Sequence, residues 1–393
     1  MVRRTAAAGV VVAVLAGGLN GAGPERAAVA AGRAPALAIA ANRDGSLVVV
    51  HADPLTLRER PGGARAELGE FHDAWAFSAA GAQIAFGLSA EGHHGGRTAV
   101  RVLDRRTLAV RGELEAGAAA QAVGWVADDR IAALTVPHYN ELAGRTTTHP
   151  GELILGPSGG GPLLARRPLR APVRCPPAAA LTRAGFAAVE YGRRPRLVRV
   201  DAAGAYATTS LRGLPRGACA ALAADAGGRR LAAVAAGGPL LVVGARRFAV
   251  ARRITGVRAP ARPALVWAGD RRVVVTGTDG PRRSVRAPAG AGARLVDLHT
   301  RSVRSLDRTA AGARRAPGGV LTYGRGVRAF TARGVPCWRA LGDARIAGLQ
   351  VAGGRAYADA GRRTYVLDAR TGRVVARVRR PTPEPVILLT RAG

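Results

Sequence analysis

The sequence predicts an all-β chain built from repeated four-stranded antiparallel sheets. The first observation is a hairpin pattern, in which apolar and polar residues alternate, break at a polar turn and alternate again. The second is that this hairpin occurs eight times, with turns about 33 to 54 residues apart, which is the spacing of solenoids and propellers. The third is composition, because 53 glycines and 24 prolines in 393 residues suit many short strands with tight turns.

The eight hairpins define the repeat unit. Their turns are centred near Ala52, Asp104, Pro157, Ala202, Ala245, His299, Ala332 and Ala369. A second hairpin usually precedes each one, as at residues 74–88, 122–136 and 264–277, so the unit has four strands. Four short strands per ~40 to 45 residues are typical of a β-propeller blade. One blade cannot bury both of its faces, whereas a ring of blades can.

Closure of the ring predicts the number of blades. Residues 37–59 have room for only three strands, and residues 385–389 form one apolar strand at the other end of the chain. Three strands from the start and one from the end complete a blade, so the N- and C-terminal strands close the ring and eight blades are favoured. Seven blades are the alternative, because residues 306–341 are short for a whole blade.

Two segments resemble known repeat families. Residues 71–86, FHDAWAFSAAGAQIAF, followed by VRVLD at 100–104, resemble the WD-repeat propellers. Residues 365–378, YVLDARTGRVVARV, resemble the quinoprotein-like propellers, in which Asp and Thr-Gly organise the outer turn. The resemblance covers the chain from about residue 36 onward. It implies a propeller and no particular activity, so we expect a single propeller domain over residues 36–390.

The N-terminal 30 residues have the pattern of a secretory signal peptide. Arg3 and Arg4 precede an apolar stretch at residues 5–19, and Ala28–Val29–Ala30 offers a small-residue cleavage site. The apolar stretch is shorter than the ~20 residues that span a bilayer, although an uncleaved anchor is an alternative. We therefore expect a secreted or extracytoplasmic protein.

The net charge of +33 is carried entirely by arginine, because the 59 basic residues include no lysine. Codons rich in G and C account for such a bias, and a surface for polyanions is the functional alternative. The basic pairs are scattered along the chain without interleaved aromatics, so no specific nucleic-acid binding is expected. The absence of lysine excludes P-loop, Schiff-base and Ser-x-x-Lys chemistry.

The three cysteines are Cys175, Cys219 and Cys337. Cys175 and Cys219 precede the first strands of successive units, so a disulfide between them is one possibility in an exported protein. Cys337 is expected to pack in an outer strand beside Trp338. Neither the histidines nor the Asp128–Asp129 pair forms a convincing metal-ligand cluster, so no metal and no cofactor are expected.

We expect a non-catalytic, monomeric binding scaffold for an unknown protein or small-molecule ligand, because the sequence has no recognisable catalytic set. The most polar long loop, at residues 137–151, provides the candidate ligand contacts His138, Tyr139, Asn140, Glu141 and His149. The alternative is an enzyme, either a quinoprotein-like oxidoreductase or a propeller hydrolase or lyase with a channel metal. Tryptophans 75, 125 and 267 lie in first strands, where they either pack in the core or form a ligand platform.

Overall fold

The structure, a computed structural model, describes residues 36–41, 47–69, 71–88, 98–116, 118–136, 151–170, 175, 178–279, 290–379 and 387–389. The predicted signal peptide, residues 1–30, lies outside these ranges. The described residues form strands, short turns and irregular connections, with no helix long and apolar enough to cross a membrane.

Eight antiparallel sheets follow one another along the chain, and we number them as blades. Blades 1 to 4 consist of β1 (Ala36–Ala41), β2 (Leu47–Ala52) and β3 (Arg65–Gly69); β4 (Phe71–Phe77), β5 (Gln83–Leu88), β6 (Thr98–Asp104) and β7 (Val110–Glu115); β8 (Ala119–Ala127), β9 (Arg130–Val136), β10 (Gly151–Pro157) and β11 (Ala165–Leu169); and β12 (Ala179–Thr182), β13 (Gly185–Glu190), β14 (Arg196–Val200) and β15 (Tyr206–Ser210). An outer hairpin is present in each of these blades, but in blade 1 its turn is longer than predicted, because the strand after β2 begins at Arg65 rather than directly after a turn near Ala52.

The remaining strands complete the ring. Blades 5 to 8 consist of β16 (Ala220–Ala224), β17 (Arg230–Ala235), β18 (Leu240–Gly244) and β19 (Ala249–Ile254); β20 (Arg262–Trp267), β21 (Arg272–Thr278), β22 (Ala293–Asp297) and β23 (Val303–Asp307); β24 (Gly312–Ala316), β25 (Gly319–Thr331) and β26 (Pro336–Arg345); and β27 (Gly348–Ala352), β28 (Arg355–Ala360), β29 (Arg363–Asp368) and β30 (Val374–Arg379). The last strand, β31 (Ile387–Leu389), pairs with β1. It takes the place of the first strand in blade 1, which then has four strands in the order β31, β1, β2 and β3. The predicted closure by the terminal strands is confirmed.

Blade 7 explains why residues 306–341 look too short for a blade. Its long strand β25 folds back on itself at Gly324–Gly326. The fold-back brings the two ends of the strand together, so that a Cβ on Gly319 would lie 1.9 Å from the carbonyl oxygen of Phe330. Blade 4 shows the same close approach between the start of its second strand, Gly185, and Val200 at the end of its third. The two halves of β25 are therefore the second and third strands, and the alternative of seven blades is wrong.

The core lies between the blades rather than at one centre. Eight clusters of buried apolar side chains each join two consecutive blades. The cluster between blades 8 and 1 contains Tyr357 and Val366 on one side and Ala38 and Val48 on the other. Each blade buries both faces against its neighbours, which is what a ring of amphipathic sheets requires.

Candidate functional site

The predicted ligand contacts His138, Tyr139, Asn140, Glu141 and His149 lie outside the described residues. The strands on either side, β9 and β10, pair along most of their length, with Thr135 opposite Glu152 nearest this loop. That loop therefore stays a sequence-based prediction. The segment at residues 166–177 is partly a strand, since β11 extends to Leu169.

The tryptophans of the first strands are used for packing. Trp125 and Trp267 are 6% and 3% exposed, and each donates a hydrogen bond of 3.0 Å from Nε1 to a carbonyl oxygen in the preceding blade. Trp75 is partly buried in the cluster between blades 1 and 2. Of the two roles left open by the sequence, core packing is the one these contacts describe.

The aspartates that end the third strands of blades 2 and 8 hold their own turns together. In blade 2, Oδ1 of Asp104 accepts a hydrogen bond of 3.0 Å from the hydroxyl of Thr107, three residues later. In blade 8, Oδ1 of Asp368 accepts the equivalent bond of 2.9 Å from Thr371. The hydrogen bond from the backbone N–H of Thr107 makes the largest contribution to holding the pKa of Asp104 well below its usual range, and the hydrogen bond from the Arg111 side chain adds to it. The hydroxyl and N–H of Thr371 likewise lower the pKa of Asp368. These carboxylates are committed to turn geometry.

The structure joins Cys175 and Cys219 by a disulfide, with their Cα atoms 5.1 Å apart. The two residues precede β12 and β16, so the bond links the connections that lead into and out of blade 4. Cys337, in contrast, is exposed, and the expectation that it packs in the outer strand is wrong. Cys337 lies near the start of the outermost strand of blade 7, next to Val335 and Pro336, which are exposed as well.

Cys337 lies in a groove of about 550 Å³ between blades 6 and 7. The lining residues come from the outer strand β23 on one side and from β25, β26 and their connecting turn on the other. They are Arg304, Ser305, Leu306, Arg328, Ala329, Phe330, Gly334, Pro336, Cys337, Trp338 and Arg339. Three guanidinium groups thus surround an apolar and aromatic surface, and no carboxylate is among these lining residues.

The arginines of the groove are anchored differently. Arg328 Nη1 lies 3.1 Å from Oδ1 of Asp307, whose side chain is 3% exposed. The other oxygen of Asp307 accepts a hydrogen bond of 2.8 Å from the hydroxyl of Thr322. Arg328 is therefore held in place by a buried carboxylate. Arg304 and Arg339 are exposed, and Arg339 donates to the carbonyl oxygen of Gly342 at 3.2 Å.

The sequence did not predict this groove. Its residues are split between two repeats, at 304–306 and 328–339, and neither stretch is unusual locally. The only visible signal was the Cys337–Trp338–Arg339 tripeptide, in the repeat that looks too short for a whole blade. Packing of blade 6 against blade 7 brings these pieces together.

The described residues contain few groups that could hold a metal ion. No three His, Cys, Asp or Glu side chains converge within these ranges. The described first strands consist mainly of alanine, valine and leucine, as in Ala179–Thr182 and Ala220–Ala224. The described residues therefore provide no cluster of metal ligands, and none of them is assigned to a metal.

Comparison with known proteins locates the fold. No family model and no curated protein matches the sequence. The structure is similar to BamB from Moraxella catarrhalis, with a TM-score of 0.52 and 15% identity over 82% of this chain and 92% of that one. The chain is a β-propeller. It is also similar to the C-terminal WD40 domain of Sif2, with a TM-score of 0.52 and 13% identity over 82% and 86% of the two chains.

The propeller likeness extends to an enzyme. The dihydro-heme d1 dehydrogenase NirN, solved in complex with DHE, matches with a TM-score of 0.57 and 13% identity over 88% of this chain and 73% of that one. Identities this low establish the propeller architecture alone. The activity of the chain must be argued from its own residues.

Proposed function

We propose that this propeller is a non-catalytic binding scaffold that recognises an anionic ligand with an apolar or aromatic part. The observation that supports this proposal is the groove between blades 6 and 7, where three arginines line an apolar surface that includes Leu306, Phe330 and Pro336, without a lining carboxylate. Guanidinium groups bind carboxylates and phosphates through paired N–H donors, and they stack on planar groups.

The geometry suits a ligand that enters from solvent. Arg304 and Arg339 are exposed on opposite outer strands, so they can grip an anion from two sides. Arg328 is oriented by the buried Asp307, and it adds a fixed positive group at the inner end. Leu306, Phe330 and Pro336 supply apolar area beside these charges. An acidic protein segment with one aromatic residue fits this arrangement, and so does a small aromatic anion.

A direct test uses a fluorescein-labelled peptide of alternating Glu and Phe residues. Charge reversal in the Arg304→Glu/Arg339→Glu variant should weaken binding at least tenfold in fluorescence anisotropy. The matched control is Arg193→Glu/Arg194→Glu, which changes two exposed arginines in the turn between β13 and β14 by the same charge. Equal losses in both variants would mean that overall charge, and not the groove, binds the peptide.

The competing proposal is an enzyme, either a quinoprotein-like oxidoreductase or a hydrolase or lyase with a channel metal. Its support is the similarity of the fold to NirN. The two classes differ in what the purified protein carries. Absorbance spectra and metal analysis of protein isolated from its native host would show a bound chromophore or a stoichiometric metal only if the enzyme proposal is correct.

Export is part of the proposal. A disulfide such as Cys175–Cys219 persists in oxidising compartments, which agrees with the signal-like N-terminus. N-terminal sequencing of the mature protein should find a new start near Ala30, whereas an intact Met1 on a membrane-associated protein would indicate an uncleaved anchor.

A further inference from the structure

The exposed large apolar side chains of the described residues occupy one kind of position. They are Leu55, Val110, Leu164, Val250, Val335 and Val375, with exposed fractions between 37% and 55%. Each lies in a turn that joins the third and fourth strands of a blade, or within the first two residues of the fourth strand. Each of the eight blades has one such turn. We call the eight turns between third and fourth strands, together with the first two residues of each fourth strand, the turn rim.

The turn rim lies at one edge of the ring. Neighbouring strands in every blade are antiparallel, so the third-to-fourth turns of all blades leave the ring at the same end. The fourth strand is also the outermost strand of each blade. The six apolar side chains, which come from blades 1, 2, 3, 5, 7 and 8, therefore lie around the circumference at one level.

The same turns carry exposed positive charge. Their exposed arginines are Arg58, Arg105, Arg106, Arg246, Arg247, Arg301, Arg333, Arg370 and Arg373, and their one exposed acidic residue is Glu59. The aspartates of the turns bind groups within their own blade. Asp104, for example, accepts a hydrogen bond from the backbone N–H of Thr107 and forms an ion pair of 3.0 Å with Arg111. The turn rim therefore presents valine and leucine side chains interleaved with guanidinium groups.

We propose that the turn rim docks on a bilayer that contains anionic lipid. Guanidinium groups bind the lipid phosphates, while the valine and leucine side chains enter the boundary between headgroups and acyl chains. A coplanar rim lets several blades contact a flat surface at once, so weak individual contacts add together.

Nucleic acid is the less suitable polyanion. Single strands bind to aromatic platforms on which bases stack, and none of the exposed large apolar side chains of the described residues is aromatic. A purely anionic polymer would use the arginines but would gain nothing from exposed valine and leucine. The apolar component distinguishes a lipid surface from both.

Co-sedimentation of the full chain with vesicles tests the proposal. Vesicles of phosphatidylcholine with 30% phosphatidylglycerol should bind the chain, and pure phosphatidylcholine vesicles should bind it at least tenfold more weakly. Val110→Ser/Val250→Ser/Val335→Ser should weaken binding at least fivefold at constant charge. All proteins compared share residues 1–30, so differences among them arise from the rim.

The charge contribution has a matched control. Arg105→Gln/Arg106→Gln/Arg246→Gln/Arg247→Gln removes four rim arginines, and Arg193→Gln/Arg194→Gln/Arg362→Gln/Arg363→Gln removes four exposed arginines at the opposite end of the ring. The rim variant should lose at least tenfold in affinity while the control keeps it. Equal losses, an unaffected valine variant, or tighter binding to a single-stranded oligonucleotide than to vesicles would each overturn the proposal.

Discussion

The indole Nε1 of Trp267 donates a hydrogen bond of 3.0 Å to the carbonyl oxygen of Ala223, which lies in the first strand of the preceding blade. Arg230 of that blade lies over the indole ring, with its guanidinium carbon 5.0 Å from the centroid. Trp125 forms the same bond to Ala76, three blades away in the ring of eight. Tryptophan in a first strand therefore connects two blades through a polar bond as well as through apolar area.

Loss of this connection should be measurable. Trp267→Phe keeps an aromatic ring but leaves the Ala223 carbonyl without its donor, so we expect a loss of about 1 to 3 kcal/mol in the free energy of unfolding. Urea denaturation checks this value, and Trp125→Phe should cost a similar amount. A Trp267→Phe variant as stable as the unmodified chain would show that the inter-blade bond contributes nothing.

Gly372 is required in its turn for two reasons. Its φ is +75°, and a Cβ there would lie 2.5 Å from Cε3 of Trp338 in the neighbouring blade. Gly372→Ala should therefore lose about 1 to 2 kcal/mol from backbone strain, with a further loss from overpacking. The control is Gly353→Ala, at φ +52° with open space around its Cβ position. Thermal denaturation should rank Gly372→Ala below the control, and equal melting temperatures would exclude the Trp338 contact as a cause.

The disulfide encloses blade 4. Cys175 and Cys219 are separated by 44 residues, and a cross-link of that span stabilises the folded state by about 4 kcal/mol in the chain-entropy model. Cys175→Ala/Cys219→Ala should lose an amount of that order in urea denaturation. Cys337→Ser should leave stability unchanged because its side chain is exposed. Titration with a thiol reagent should find one reactive thiol in the native chain, and three would contradict the disulfide.

Acid should weaken the outer turns. The pKa of Asp368 is lowered in the folded chain by the hydroxyl and N–H of Thr371, so its contribution to stability is present above the unfolded pKa of about 4. That contribution is lost as the pH falls through the lower, folded pKa. Asp368→Asn should be less stable at pH 7, with the difference shrinking toward pH 3. Denaturation at pH 7, 5 and 3 tests this, with exposed Asp128→Asn as the charge control. A difference independent of pH would contradict the assignment.

The sequence by itself determined the blade and the closure. Each outer turn depends on bonds between residues two or three apart, such as Asp368 with Thr371, and each strand on alternation along a few residues. These are local interactions, so their pattern is legible in the repeat. The closing strand was visible because one unit lacked a strand and the chain ended with an extra one.

Only the tertiary structure decided where these pieces meet. The pairs Arg105–Arg106 and Arg246–Arg247 look scattered along the chain, yet antiparallel blades place both on the turn rim. The groove residues Arg304 and Gly334 belong to different repeats and meet through packing of one blade on the next. Exposure of Cys337 likewise depends on its place at the surface of blade 7. Contacts between repeats depend on the closed ring, which no single repeat encodes.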